Sequence, residues 1–190
     1  EPAEELIVRE RGIVALDLAG NEAEFPSQPF YGIFKEAKQA GLHVTIHAGE
    51  WGPASNVKEA IEELGAERIG HGVRVLEDEN IAALARDHHT AFEVCVTSNY
   101  QSGVVPEPGA HPLPRMLDSG LNVTINTDDP SISRINLSHE YHVVCDDLGL
   151  SAESLKGRIV AAAQAAFLPE HERQVLIGSV RKELFGAAPA

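Results

Sequence analysis

Five short apolar runs, each followed by a segment of helical character, constrain this chain more than any other feature. They are "GIVALDLAG" (12–20), "LHVTIHAGE" (42–50), "ERIGHG" (67–72), "TAFEVCVTSN" (90–99) and "LNVTIN" (121–126). The patterning between them predicts helices over 26–41, 55–65, 77–88 and within 111–120. Ser27 and Ser55 are the expected caps, and Gly41 and Gly65 the stops. From Leu137 the pattern is helical almost to the end, with Ser151 capping one helix and Pro169 separating it from the last. The opening "EPAEELIVRE" reads as the tail of a helix. Apolar strands alternating with amphipathic helices indicate βαβ units and a parallel sheet. No repeat, low-complexity tract or linker interrupts residues 1–190, so a single domain is expected.

Two parallel architectures compete, an open doubly wound sheet and a (β/α)8 barrel. No glycine-rich phosphate fingerprint follows a strand, which weakens the nucleotide-binding open sheet. Polar residues gather instead at the C-terminal ends of successive strands, where a barrel builds its active site. A full barrel takes about 250 residues. Five units therefore predict an incomplete barrel of about strands 4–8, with some three upstream strands outside this chain.

The net charge of −14 argues against nucleic acid and against anionic membrane, both of which recruit basic surfaces. A small uncharged substrate is compatible with it. Cys95 and Cys145 are too few for a disulfide framework, so a reducing, cytoplasmic setting is expected. No apolar stretch is long enough to span a bilayer. The acidic start lacks the parts of a secretory signal.

The strand ends supply Asp17 and Gly20, then His47 and Glu50, then His71, then Glu93 with Ser98 and Asn99, and last Asp128 and Asp129. Histidines and acids at neighbouring strand ends are the ingredients of a hydrolytic metal site. Two carboxylates about 4 Å apart repel by roughly 4 kcal/mol at an effective dielectric near 20. A divalent cation offsets that cost. Adjacent strand residues point to opposite faces. Asp128 and Asp129 can serve one mouth only if the strand breaks there, and Pro130 is consistent with a break.

"TIHAGE" (45–50), "RIGHG" (68–72) and "TINTDDP" (124–130) closely resemble signature segments of the adenosine deaminases. "DLAGNE" (17–22) and "FEVCVTSNYQSG" (92–103) resemble two more, in the right order. The resemblance runs from about Gly12 to Phe185. It implies the metal-dependent amidohydrolase barrel, entered near its fourth strand, and one zinc ion per complete site. His47 and Asp128 match zinc ligands. Glu50 matches the acid that protonates purine N1, and His71 the histidine that orients the attacking hydroxide. Asp129 matches the residue that hydrogen-bonds N7, and Gly20 a backbone donor to N3. Asp17 is divided evenly between a substrate-binding role and a turn-capping one. The implied reaction is hydrolytic deamination of adenosine, with 2'-deoxyadenosine, to inosine and ammonia. Burial beside an aromatic ring is expected to raise the Glu50 pKa toward the protonated state that this needs.

The family's His-x-His pair, which supplies two further zinc ligands, occurs nowhere in this sequence. Those ligands are expected from an upstream segment, and the missing part of the barrel or a second copy is an expected partner. The alternatives are a non-catalytic, partner-binding barrel remnant, another amidohydrolase of the same barrel, or a deaminase of adenine, AMP or a modified adenosine. The neighbouring histidines read more simply. His43 is a packed or surface residue at the bottom of its strand, and His111 a loop residue. His88 and His89 lie in a helix–strand connection, and His139 and His142 at helical spacing. Cys95 reads as a small buried apolar residue. Glu93 reads as a structural acid, and Trp51 equally as pocket rim or packing. An incomplete barrel would leave apolar strand faces in water, so weak autonomous stability is expected.

Overall fold

The computed structural model describes residues 12–186, so the expected helical tail at 1–10 lies outside them. Five strands follow one another in a parallel sheet whose order is that of the chain, β1 to β5. They are β1 (Ala15–Leu18), β2 (His43–Ala48), β3 (Arg68–His71), β4 (Ala91–Val94) and β5 (Asn122–Ile125). Helices α1 (Tyr31–Gln39), α2 (Ala54–Glu62) and α3 (Glu79–Asp87) fill the first three crossovers. After β4 come α4 (Val96–Gln101) and α5 (Leu113–Asp118). After β5 come α6 (Pro130–Ser133), α7 (Leu137–His142), α8 (Ala152–Gln164) and α9 (Glu170–Phe185), with a π-helical turn at Val143–Asp147. The chain divides into two compact units, one ending at Phe92 and one beginning at Glu93.

In the first unit β1 pairs in parallel with β2, and β2 with β3. His47 stands opposite Gly70, and Ala48 opposite His71. β2 buries Val44 and Ile46, and Thr45 with them, as a strand covered on both faces must. Helix α2 presents Ala54, Val57 and Ile61 to the core, one side chain per turn. Phe34, Ile69, Val75 and Phe92 complete that core. Each large apolar side chain so buried contributes about 1.5–3 kcal/mol. Gly72 has φ +63°, and a Cβ there would strike the Phe92 ring, so only glycine fits.

In the second unit Val94, Val96, Leu113, Met116, Val123 and Val144 are completely buried. Helix α8 packs on β5, and α9 packs on α8. Arg158 of α8 donates to the Val123 carbonyl at 3.2 Å. Burial holds its guanidinium pKa below the usual value. The Ser151 cap is present, its hydroxyl accepting from the Ser154 N–H at 3.1 Å, and Pro169 caps α9.

Three local expectations are corrected. Ser27 does not cap a helix with its side chain. Its hydroxyl donates to Glu59, which also accepts from Gln28 at 2.8 Å and Tyr31 at 2.7 Å. Ser55 lies inside the first turn of α2, whose N-cap is Pro53. The strand expected over 90–99 ends at Val94, and Val96–Gln101 is helical.

Candidate active site

The C-terminal ends of β2 and β3 bring three predicted residues together. His47 is the next-to-last residue of β2, and its ring lies where a Cβ on Gly70 would fall, 2.6 Å from Cδ2. The glycine opposite is what lets the imidazole lie across the strand. His71 ends β3 in a left-handed conformation, φ 61°, which non-glycine residues adopt at a cost. Its Nε2 is 3.5 Å from Glu50 Oε2, and both side chains are buried. The His47 and His71 rings meet edge to face at 5.0 Å. One donor atom each from His47, Glu50 and His71 lies within 4.8 Å of the others. Imidazole nitrogen and carboxylate oxygen are zinc's ordinary donors, so the chemistry of this set fits a divalent cation. Asp17 is more than half exposed, with a carboxylate oxygen 4.0 Å from His47 Nε2.

Gly20 follows β1 with φ +140° and open space where a Cβ would be. It lines a cavity of about 360 Å³ together with Glu22, Phe25, Phe30 and His47. That volume lies within the usual range for small-molecule sites, about 300–1,000 Å³.

Glu22 was not singled out by the sequence. Its carboxylate accepts from the backbone N–H of Gly49 at 3.0 Å, Glu50 at 2.6 Å, Trp51 at 3.0 Å and Gly52 at 3.0 Å. It also accepts from Asn56 Nδ2 at 2.8 Å. The signal in the sequence was its place as the last residue of the segment "DLAGNE" (17–22), two residues beyond Gly20.

In the second unit the chain leaves β5 at Ile125, so Asp128 and Asp129 lie beyond the strand. Asp128 turns the chain with φ 58°, and Asp129 follows as the N-cap of α6. Ser98 of α4 donates to Asp128 Oδ2 at 2.6 Å. Both aspartates are exposed. Glu140 is fully buried on α7 and was also missed. Both its oxygens accept the Thr97 N–H at 3.3 Å, at the start of the helix that carries Ser98. Asn99 and His111 are buried together, 3.2 Å apart. His111 Nδ1 accepts from the Leu113 N–H at 3.0 Å, which leaves the proton on Nε2 to donate to Asn99. Cys95 is buried, and desolvation first, then the charges of Asp128, Glu140 and Glu93, pushes its thiol pKa well up.

The plainer readings hold for their neighbours. His43 sits at the start of β2 and pairs with Glu67 at 2.7 Å. His88 and His89 form the turn after α3, and His139 and His142 lie on α7. Trp51 is 41% exposed, so it does not pack into a core. Among the described residues, no helix is long and apolar enough to cross a membrane.

Comparison with known proteins adds four findings. Residues 2–183 match the family described as adenosine deaminase. The chain is 41% identical over 177 residues to an adenosine deaminase of Klebsiella pneumoniae (strain 342), covering 93% of this chain and 53% of that protein. It is 45% identical over 168 residues to an adenosine deaminase of Edwardsiella ictaluri (strain 93-146), covering 88% and 50%. The crystal structure of an adenine deaminase from Arthrobacter aurescens superposes with a TM-score of 0.87 at 30% identity, over 95% of this chain and 55% of that one. The chain thus spans about half the length of the curated relatives it matches, and its five parallel strands and their helices correspond to part of a barrel.

Proposed function

We propose, because the chain belongs to the adenosine deaminase family, that residues 1–190 form the C-terminal portion of a single barrel domain that deaminates adenosine and 2'-deoxyadenosine. The products are the inosines and ammonia. The observation that carries this reading is the convergence of His47, Glu50 and His71 at two neighbouring strand ends.

The chemistry follows from those side chains. Attack at C6 of the purine requires N1 to take up a proton. Glu50 is the donor, its carboxyl buried and held against His71. His71 orients the attacking water from the end of β3, where its backbone turns left-handed at φ 61°. Gly20 donates its N–H to N3, and Asp129 hydrogen-bonds N7. Asp17, with a carboxylate oxygen 4.0 Å from the ring of His47, is taken as a further substrate-binding residue. By the family resemblance, His47 and Asp128 would be this chain's zinc ligands, and the family's His-x-His pair would complete the set. When bound, zinc would lower the pKa of water to about 7 and so supply hydroxide at neutral pH. Water's oxygen bonds to C6, the C6–N6 bond breaks, and the amino group leaves as ammonia with the protons delivered. The two free cysteines fit a reducing cytoplasm.

The test is metal analysis of the purified, folded chain together with the loss of adenosine's ultraviolet absorbance. Stoichiometric zinc with turnover is expected once the two further histidine ligands are supplied together with this chain. A folded sample with neither would favour the non-catalytic reading, for which the missing His-x-His pair speaks. The likeness to an adenine deaminase makes adenine the first competing substrate to assay, followed by AMP and modified adenosines.

A further inference from the structure

We infer that Glu22 is a positioning residue, whose carboxylate folds the Gly49–Gly52 loop and thereby fixes the approach of Glu50 to His71. The inference rests on the proposed role of Glu50 as proton donor. Four successive backbone N–H groups, Gly49 to Gly52, point at one carboxylate. They form a concave anion-binding nest, and here the anion is a side chain of the same protein. Oε1 takes the Glu50, Trp51 and Gly52 N–H groups, and Oε2 takes Gly49 and the Asn56 amide. Hydrogen bonds to an ionised acceptor are short and strong, and the shortest of these, 2.6 Å, is the one to Glu50 itself.

The loop sequence is shaped for this acid. Gly49 has φ +69°, and a Cβ there would come 2.7 Å from Val57 Cγ2. A Cβ on Gly52 would strike the Asn56 amide and come 2.9 Å from Glu22 Oε2. Both glycines are therefore needed for the backbone to close on the carboxylate. Asn56 belongs to α2, so one acid joins the loop after β1, the loop after β2 and the helix that follows. With the Glu50 backbone held at one end, its carboxyl lies 3.5 Å from His71 at the other.

Glu22→Gln separates positioning from folding. The variant has the same size, but its amide nitrogen must face N–H donors on one side. Backbone hydrogen exchange of the full chain is expected to speed up at least about tenfold at Gly49–Gly52. The Val44 and Ile69 amides in the core strands should exchange as before. Glu24→Gln, in the same loop, is expected to change neither. In zinc-loaded protein that turns over adenosine, Glu22→Gln should lower kcat about 10²-fold with little change in KM. Glu22→Asp, which keeps the charge on a shorter arm, should recover part of that loss. Unchanged exchange at Gly49–Gly52 overturns the inference, as does uniform loss of protection through β2 and β3, which would mark a general stabiliser. Wild-type turnover kinetics in Glu22→Gln overturn it equally. A wild-type chain that neither binds zinc nor deaminates sinks the proposed function instead, and the exchange comparison still decides what Glu22 does.

Discussion

His71 and Asp128 both hold left-handed backbone, and both are candidate site residues. A non-glycine residue there costs about 1–3 kcal/mol, which the surrounding structure must supply. Burial of His71 and the Ser98 hydroxyl on Asp128 are part of that support. Glu50 carries the sharpest prediction at this scale. Glu50→Gln keeps the shape but cannot donate a carboxyl proton. Turnover should fall by roughly 10²- to 10⁴-fold while zinc content stays at the wild-type value. Steady-state kinetics beside metal analysis check it, and an unchanged kcat removes Glu50 from the mechanism. Gly72→Ala tests packing and backbone strain together. It places a methyl against the Phe92 ring at φ +63°, and a loss of about 2–4 kcal/mol in chemical denaturation is expected.

Between elements, Glu67 links three pieces. It lies just before β3 and pairs with Lys38 of α1 at 2.6 Å and with His43 of β2 at 2.7 Å. Burial pushes its pKa up, but Lys38 and His43 together outweigh that and hold it below the usual 4.5. A depressed carboxyl stabilises the fold above its unfolded pKa, and the effect disappears as pH falls through the folded value. Glu67→Gln is therefore expected to cost less than about 1 kcal/mol at pH near 7, because the pair is more than a third exposed. The difference should vanish below the carboxylate range, which urea titrations at both pH values would show. Sequence patterning located all five strands, since each is an apolar run closed by polar residues. It overran β4 because Val96 and Thr97 favour strands locally, whereas Glu140 accepts the Thr97 N–H and helix begins there. Ser27 and Ser55 looked like caps from spacing alone. The first found Glu59 across the fold, and Pro53 took the place of the second. His47, Glu50 and His71 were legible as motif residues. Glu22 was not, because its partners lie 27 to 34 residues along the chain and four of the five are backbone groups, which no side-chain pattern reveals.

For the molecule as a whole, a ligand that binds the folded state alone raises stability by mass action. Zinc at a hundred times its dissociation constant should add about 2.7 kcal/mol. A rise in Tm with added zinc, reversed by a chelator, is the expected result. A Tm indifferent to zinc would speak against metal binding by this chain. Large apolar side chains stand in water on the first unit, Phe25 at 68% and Ile33 at 55% exposure among them. The clasp of Glu22 on Gly49–Gly52 also sets a rule for anyone redesigning this scaffold. The segments after the first two strands cannot be exchanged one at a time, because four amides on one would be orphaned without the acid on the other. They have to be grafted as a matched cassette, and libraries that randomise position 22 while preserving 49–52 will mostly sample broken hinges rather than new substrates.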